Sequence, residues 1–389
     1  MSIKSLLLGS AAALVAVSGA QAADAVVIAE PEPVEYVRVC DVYGTGYFYI
    51  PGTETCLRIG GYVRYQASGG DLWERSAVDH EDGSINETWN KYARLSLQTW
   101  TGTETELGTL KTYTETRFQW GNGSPSGPVI FDTDGDGFAD SAGGTNGYDG
   151  TSVTLNFAWI ELGGFRVGKD ESAYTVFLDY AGGVIADDLV PYGPFDTNLI
   201  SYTFSTGNGF SAIVSLETGA DDSYGHDYSI DSYVPHVVAG AKFTQGWGGI
   251  GIVGGYDSIH ENWAVKARLD IKATEALSFF LMGGWGDDDA DEVVGVDPDT
   301  GLLIIGETGA NFYKPWGGEW AIWGGMTAQV SEKAVMNLQL GYDDSEQFGA
   351  SLNVQYELVP GFRITPEIDY YDNGDDDAFG GIIRFQRSF

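Results

Sequence analysis

The chain ends Phe379-Gly-Gly-Ile-Ile-Arg-Phe-Gln-Arg-Ser-Phe389, alternating apolar and polar side chains up to its last residue. Read with period two, Phe379, Ile383, Phe385 and Phe389 share one face, while Arg384, Gln386 and Ser388 share the other. That is the pattern of a strand set between lipid and a wet lumen. A soluble domain would waste such apolar surface at a fraying terminus. The stretch therefore reads as the last strand of an outer-membrane β-barrel. Arg387 interrupts the apolar row, but so near the end that it sits at headgroup depth, where a charge costs little.

The opposite terminus agrees. Lys4 precedes an apolar run from Leu6 to Val17, and the small-residue site Ala20-Gln21-Ala22 follows. Residues 1–22 thus read as a secretory signal peptide, cleaved before Ala23. The run is too short to span a bilayer, and no other segment approaches the eighteen consecutive apolar residues of a membrane helix. Any spanning structure must come from strands. The rival is a secreted or periplasmic soluble protein, which the strand pattern has to exclude.

Composition favours the barrel. The 389 residues include 55 Gly, 22 Tyr, 19 Phe and 11 Trp, and mean hydropathy is near zero although 43% of residues are hydrophobic. Strands that alternate lipid-facing and water-facing residues average to such values. No composition shift divides the chain after residue 56, so the expected organisation is a signal peptide (1–22), a periplasmic tether with a disulfide loop (23–56) and one transmembrane barrel (57–389). A formal charge of −36 opposes nucleic-acid binding, because phosphates need Lys and Arg. The two cysteines, Cys40 and Cys56, are expected to form a structural disulfide in an exported chain. A metal pair is the alternative, but no His or further Cys lies nearby to complete a tetrahedral set.

Alternation repeats along the chain. Arg58, Gly60, Tyr62, Arg64 and Gln66 oppose Leu57, Ile59, Val63 and Tyr65; Arg94, Ser96 and Gln98 oppose Ala93, Leu95, Leu97 and Thr99. Lys266, Arg268 and Asp270 alternate with Trp263, Val265, Ala267, Leu269 and Ile271; Ser351, Asn353, Gln355 and Glu357 with Ala350, Leu352, Val354 and Tyr356. Arg363, Thr365, Glu367 and Asp369 against Phe362, Ile364, Ile368 and Tyr370 make another such strand. Short turns are expected at 101–106, 163–164, 207–209, 245–246, 273–275, 331–333 and 359–361. Longer loops are expected at 121–150, 170–196, 218–233, 287–318, 343–346 and 372–377. Short periplasmic turns with longer outer loops are the asymmetry of outer-membrane barrels, and the segmentation gives about sixteen antiparallel strands, a size that leaves an aqueous channel. Trp100, Trp120, Trp247, Trp263 and Trp285, at strand ends, are expected in the interfacial aromatic girdles.

The run Val39-Cys-Asp-Val-Tyr-Gly-Thr-Gly-Tyr-Phe-Tyr-Ile-Pro-Gly-Thr-Glu-Thr-Cys-Leu-Arg-Ile-Gly-Gly-Tyr-Val-Arg-Tyr65 resembles the N-terminal signature of alphaproteobacterial porins, the family of the major Brucella and Rhizobium outer-membrane porins. So do Gly-Thr-Glu-Thr-Glu-Leu-Gly-Thr-Leu-Lys-Thr-Tyr at 102–113, Tyr-Glu-Leu-Val-Pro-Gly-Phe at 356–362 and the ending at 380–389. The matches span nearly the whole mature chain. The resemblance implies a sixteen-stranded homotrimeric porin whose third outer loop, here 170–196, folds into the lumen. The acidic outer loops at 131–144 and 286–308 are the main departures, and they bear on selectivity more than on fold. The expected partners are two further copies of the chain, outer-membrane lipid and lipopolysaccharide, and peptidoglycan through the tether containing Glu30-Pro31-Glu32-Pro33; no cofactor is expected.

The chemistry of passage is expected from inward faces. The presumed constriction loop carries Asp170, Glu171, Asp179, Asp187 and Asp188, and inward wall positions carry Arg58, Arg64, Arg94, Lys111, Arg117 and Arg166. Opposed charge rows across a narrow lumen make a transverse field that orders polar solutes, and the acids favour cations; each charge alone reads equally as a solvated residue. Stacked lumenal aromatics, for which Tyr62, Tyr113, Tyr174, Phe177 and Tyr180 are candidates, would instead mark a solute-specific channel, for example for sugars.

Three other patterns are weaker. Asp132, Asp134, Asp136 and Asp140 with Gly137 resemble the start of a calcium loop, but Gly143 stands where the bidentate acid belongs. A plain acidic loop is the alternative. Two G-x-G-x-x-G matches, at 246–251 and 249–254, are followed by strand-like sequence rather than the helix a dinucleotide site needs. No G-x-S-x-G, H-E-x-x-H or Walker lysine motif occurs, and His80, His226, His236 and His260 scatter over loops and strand ends. The chain does not read as an enzyme.

Overall fold

A computed structural model describes residues 38–79, 81–121, 129–131, 141–143, 150–220, 228–287, 290–296 and 303–389. The unit comprising Val39–Phe389 is built on one closed antiparallel sheet of seventeen strands. Sixteen are the staves of a barrel. In chain order they are β1 (Cys56–Gly69), β2 (Asn90–Thr105), β3 (Gly108–Gly121), β4 (Gly150–Leu162), β5 (Phe165–Glu171), β6 (Asp196–Ser205), β7 (Phe210–Glu217) and β8 (His236–Gln245). The second half comprises β9 (Gly248–Tyr256), β10 (Trp263–Thr274), β11 (Leu277–Gly286), β12 (Trp320–Ser331), β13 (Ala334–Asp343), β14 (Phe348–Val359), β15 (Phe362–Asp372) and β16 (Asp377–Ser388). The seventeenth is a two-residue edge strand, Phe48–Tyr49, paired with Leu57 and Cys56 at the start of β1.

The last strand closes the barrel on the first, with Tyr65 opposite Phe385 and Ala67 opposite Ile383. Phe389 seals the seam through its backbone, donating to Gly61 O at 3.0 Å and accepting from Gly61 N–H at 3.1 Å. Gly61 sits at φ +147°, and a Cβ there would lie 1.9 Å from Ser96 O, so the first strand crosses its neighbour too closely for any side chain. β1 runs beyond the end of β16, and the edge strand covers its first two residues, Cys56 and Leu57. The Cys40–Cys56 disulfide ties this cover down, with Cα atoms 6.1 Å apart.

Period two decides the faces. On β6, Ile200, Tyr202 and Phe204 are about half exposed on the outside (49%, 52% and 50%), whereas Thr197 and Ser201 are 3% and 6% exposed inside. The same split holds on β1, where Ile59, Val63 and Tyr65 face out and Arg58 and Arg64 face in. Closure pairs each stave with two neighbours, as hydrocarbon requires, although 150–157 of β4 run beyond their partner β5.

One end of the barrel carries only short turns, at 106–107, 163–164, 206–209, 246–247, 275–276, 332–333 and 360–361. The first is tighter than the expected 101–106, because β2 and β3 stay paired out to Thr105 and Gly108. The other end carries the long connections, three of which contain their own hairpins: Arg75–Val78 with Ile85–Thr88, Val129–Phe131 with Ser141–Gly143, and Ala290–Val296 with Leu303–Gly309. The region of the glycine-rich motifs is strand, Gly248–Tyr256, as its sequence implied.

Trp120, Trp247, Trp263 and Trp285 are exposed on the outer face, between 39% and 54%. Trp100 is not in that girdle. It has the parity of Ser96 and Gln98, so it points inward, where the Arg58 guanidinium lies 4.4 Å from its ring centroid.

Candidate functional site

The inner wall divides into two halves by what its polar residues do. On β8 to β15 they hold the segment 172–195, which leaves β5, crosses to the far wall and returns to β6. Lys242 donates to Phe177 O (2.8 Å), Lys266 to Tyr192 O (2.6 Å) and Arg268 to Tyr180 O (2.5 Å). Trp323 Nε1 donates to Val190 O (2.8 Å), Gln339 Nε2 to Asp187 O (2.5 Å), and both Asn353 and Gln355 to Gly183 O (3.1 and 3.0 Å). In the opposite sense, the Glu367 carboxylate accepts the Ile185 and Ala186 N–H groups at 2.5 and 2.8 Å and Asn353 Nδ2 at 2.8 Å.

The start of this segment is fixed just as tightly. Ser172 caps a single helical turn, α1 (Ala173–Val176), and its hydroxyl donates to Glu217 at 2.6 Å, while Ala173 N–H donates to the other Glu217 oxygen at 2.9 Å. Below it Tyr174, Phe177, Leu178, Val190 and Tyr192 pack with Val238, Val253, Met282, Tyr313 and Trp323 into the apolar core of the molecule. A barrel has no core of its own between staves; here the inserted segment supplies one. Burying a side chain the size of Tyr174 or Tyr192 contributes on the order of 2 kcal/mol. Tyr174 and Phe177, expected as lumenal aromatics, are 0% and 7% exposed. They anchor the segment rather than meet solute. Tyr180 is exposed and donates its hydroxyl to Glu171.

The half formed by β16 and β1 to β5 keeps its charges toward the lumen. Three expected wall cations are neutralised locally: Arg117 by Glu115 (2.6 Å), Lys111 by Glu161 (3.2 Å), and Arg166 by Glu161 and Asp170 (2.6 and 2.8 Å). Asp170 and Glu171 belong to β5, so Asp170 is Arg166's partner on the same strand rather than an acid facing it across the lumen. Arg58, Arg64 and Arg94 have no carboxylate within ion-pair distance among the described residues. Arg58 also begins a row on consecutive strands, with Trp100 stacked on Tyr113 (5.3 Å), Tyr113 beside Trp159 (5.6 Å) and Arg166 over Trp159 (4.0 Å). Tyr62 lies under Arg64, 4.5 Å from its ring centroid.

On the inserted segment Asp179 and Asp188 are exposed, and Asp187 accepts the Tyr192 hydroxyl at 2.6 Å. Burial lifts the Asp187 carboxyl to about 6; Asp188 adds to the rise, while the Tyr192 hydroxyl bond and Arg384 oppose it.

Comparison with known proteins follows the same lines. Residues 24–386 match the model of the Porin subfamily. The chain belongs to the porin family. Porin Omp2b of Brucella canis is 49% identical over 401 aligned positions, and porin Omp2a of Brucella melitensis 49% over 397, each covering 100% of both chains. Among solved structures, the outer-membrane channel DcaP of Acinetobacter baumannii aligns over 88% of this chain and 99% of its own, with a TM-score of 0.56 at 16% identity. A mutant porin of Rhodopseudomonas blastica aligns over 86% and 100%, with a TM-score of 0.53 at 14% identity. At those identities the two structures speak for the fold alone.

This porin is an outer-membrane barrel forming a water-filled passage for passive diffusion of small hydrophilic solutes, and not an enzyme. Two features of it escaped the sequence. Arg384 was legible as inward-facing on the last strand, but only the seam brings it beside Gln66 of β1 (2.8 Å) and so into the basic wall. His236 and His260 converge on Asp257, at 3.3 and 2.9 Å, although the histidines looked scattered. There Ser258 N–H donates to His236 Nδ1 (3.0 Å), and Asp257 also accepts Phe312 N–H (2.9 Å). His236 and Asp257 are fully buried, so the cluster locks outer connections to one another and offers no open site. The calcium-like residues Asp132, Asp134, Asp136 and Asp140 lie outside the described residues, as do His80, His226, the signal peptide and the proline-containing tether.

Proposed function

We propose that the segment 172–195 is the constriction of the pore and that this narrowing, with its exposed Asp179 and Asp188 and the titrating Asp187, makes the channel prefer cations. The observation that carries the reading is the clamp of that segment against β8 to β15 by wall donors and Glu367. It narrows the lumen from one side and engages Lys242, Lys266 and Arg268 with backbone carbonyls rather than with the segment's own carboxylates. Arg58, Arg64 and Arg94 stand on the opposing wall, so a solute passes through a transverse field. The chain's −36 formal charge adds a cation-concentrating potential at the mouth, which fades as salt shortens the Debye length to about 3 Å at 1 M.

The test is a reversal potential across a planar bilayer in a tenfold KCl gradient at low salt. Its sign should show cation preference, shrink with rising salt, and shrink again in the Asp187→Asn, Asp188→Asn double variant. Anion preference at low salt would overturn the reading. The family supports a homotrimer in contact with lipid and lipopolysaccharide, and three equal conductance steps per insertion in the same records read that assembly.

The acidic, proline-containing segment 24–35 is proposed, on its composition, to reach peptidoglycan. Deleting it behind an intact signal should leave conductance unchanged and lower the fraction of protein that co-sediments with peptidoglycan. Unaltered sedimentation ends the tether idea. An aromatic slide for a specific solute finds less support, because Tyr174 and Phe177 are buried and Tyr113 is hemmed in by Trp100, Phe157 and Trp159.

A further inference from the structure

The inner faces of β16, β1, β2 and β3 form a checkerboard in which arginines alternate with neutral side chains. Across the ladder Arg384 lies opposite Gln66, Gln386 opposite Arg64, Arg64 opposite Arg94, and Arg94 opposite Gln119. Each arginine is held by a glutamine carbonyl: Arg384 Nε donates to Gln66 (2.8 Å), Arg64 Nε to Gln386 (2.9 Å), and Arg94 Nε and Nη2 to Gln119 (2.8 and 2.5 Å). The rings of Tyr62 and Tyr92 back Arg64 and Arg94 at 4.5 and 4.9 Å. Among the described residues none of the three has a carboxylate within ion-pair distance, in contrast to Arg117 and Arg166 beside them.

That arrangement is costly for a fold that wants only a stable wall. Like charges directly opposite on a ladder, as Arg64 and Arg94 are, destabilise the pair. Glutamine amides orient a guanidinium without neutralising it. Their bonds and the tyrosine faces fix the Nε edges, and the Tyr92 hydroxyl also meets Arg64 and Arg384, so neutral groups rather than carboxylates orient the three guanidiniums among the described residues. A fixed planar guanidinium held by neutral groups alone matches an oxyanion, and pre-ordering lowers the entropy lost on binding. Beside Arg94 the wall is also concave: a recess of about 500 Å³ is lined by Arg94, Arg117, Gln119, Ser152, Thr154 and Lys169, and its carboxylate, Asp196, is tied to Lys169.

We propose that Arg64, Arg94 and Arg384 form a binding station for a compact divalent oxyanion, such as a phosphate or a short dicarboxylate, on the wall of this porin. Three guanidiniums with no carboxylate in ion-pair contact hold a dianion more strongly than chloride, so such a solute dwells at the station while chloride does not. The inference uses the family's channel function and is independent of the proposed cation preference, which the reversal potential scores separately on the same membranes.

The experiment records trimer conductance in KCl at fixed ionic strength while inorganic phosphate at pH 8, malonate or acetate replaces chloride. Phosphate or malonate should reduce the current along a saturating curve, and acetate should not. In the Arg64→Gln, Arg94→Gln double variant the half-blocking concentration should rise by about tenfold or more, as expected for lost charge-assisted bonds. Lys333→Gln, in a short turn away from the checkerboard, should leave it unchanged. Equal migration shifts on heating in SDS gels establish that each variant forms the barrel. Current that falls linearly without saturation for both dianions, or the same half-blocking concentration in the double variant, overturns the proposal. Block by phosphate alone, or by both dianions, upholds it and identifies which source the station serves.

Discussion

A chain in which residues 182–189 are replaced by two glycines is expected to conduct several-fold more current than the parent. Those residues make the crossing to β13, β14 and β15, where Gly183 O accepts from Asn353 and Gln355 and Glu367 accepts from Ile185 and Ala186. Hydrogen bonds to a charged acceptor contribute about 1.5–3 kcal/mol each, so Glu367 alone is a strong clasp. The shortened segment keeps α1 and the Glu217 bonds at its start, so it still packs near β7 to β10 but no longer reaches the far wall. Glu367→Gln is the graded companion. It keeps an acceptor but loses the charge, and its expected signature is a modest rise in conductance with more open-channel noise. Single-channel records of the three proteins decide the matter. Unchanged conductance after the deletion would show that the narrowing lies elsewhere.

Cation preference is expected to fall as pH is lowered from 8 to 5, with a midpoint near the Asp187 value of about 6 rather than in the ordinary carboxylate range. The cause is burial, so the sign for stability runs opposite to that of a salt-bridged acid. The folded segment binds the Asp187 proton more tightly than the unfolded chain does. Between the ordinary value of 3.8 and about 6, the folded state therefore carries more protons, and its stability declines as pH rises through that window. Acidification both removes a lumenal charge and relieves the burial of a carboxylate. Reversal potentials read the first effect, and the temperature at which the SDS-resistant form is lost reads the second. In Asp187→Asn both pH dependences between 5 and 7 should flatten. A midpoint below 4.5 in the parent would assign the titration to exposed acids instead.

What the sequence disclosed follows from locality. Side-chain parity is a nearest-neighbour property, so Arg58, Arg64 and Arg94 could be turned inward, and Phe379 and Ile383 outward, without any knowledge of partners. Trp100 shares the parity of Ser96 and Gln98, and this local signal outweighs the general preference of tryptophan for the girdle. The inserted segment was not legible in its detail, because its contacts join residues far apart. Ile185 meets Glu367 across 182 positions, and no spacing rule reports that. For the same reason Tyr174 and Phe177 looked like lumenal aromatics: composition does not distinguish a ring facing solute from one beneath a folded-in loop. Charge partners were equally hidden, so Asp170 was set against the basic wall although it lies four residues from Arg166 on the same strand. Arg384 needed the seam.

The covered edge beside the disulfide has a consequence for how the chain reaches this state. Arg64 and Gln386, whose side chains meet across the seam, are 322 residues apart, whereas Cys40 and Cys56 are separated by only 16. Loop-closure entropy makes the near contact form long before the distant one. The first strand therefore acquires part of its edge partner, Phe48–Tyr49, while the last strand has yet to arrive, and that stretch of open backbone is withdrawn from pairing with other unfinished chains. The crosslink thus acts as a chaperone built into the substrate: it protects the first residues of an immature edge, Cys56 and Leu57, against aggregation and leaves vacant the stretch that the terminal strand must occupy.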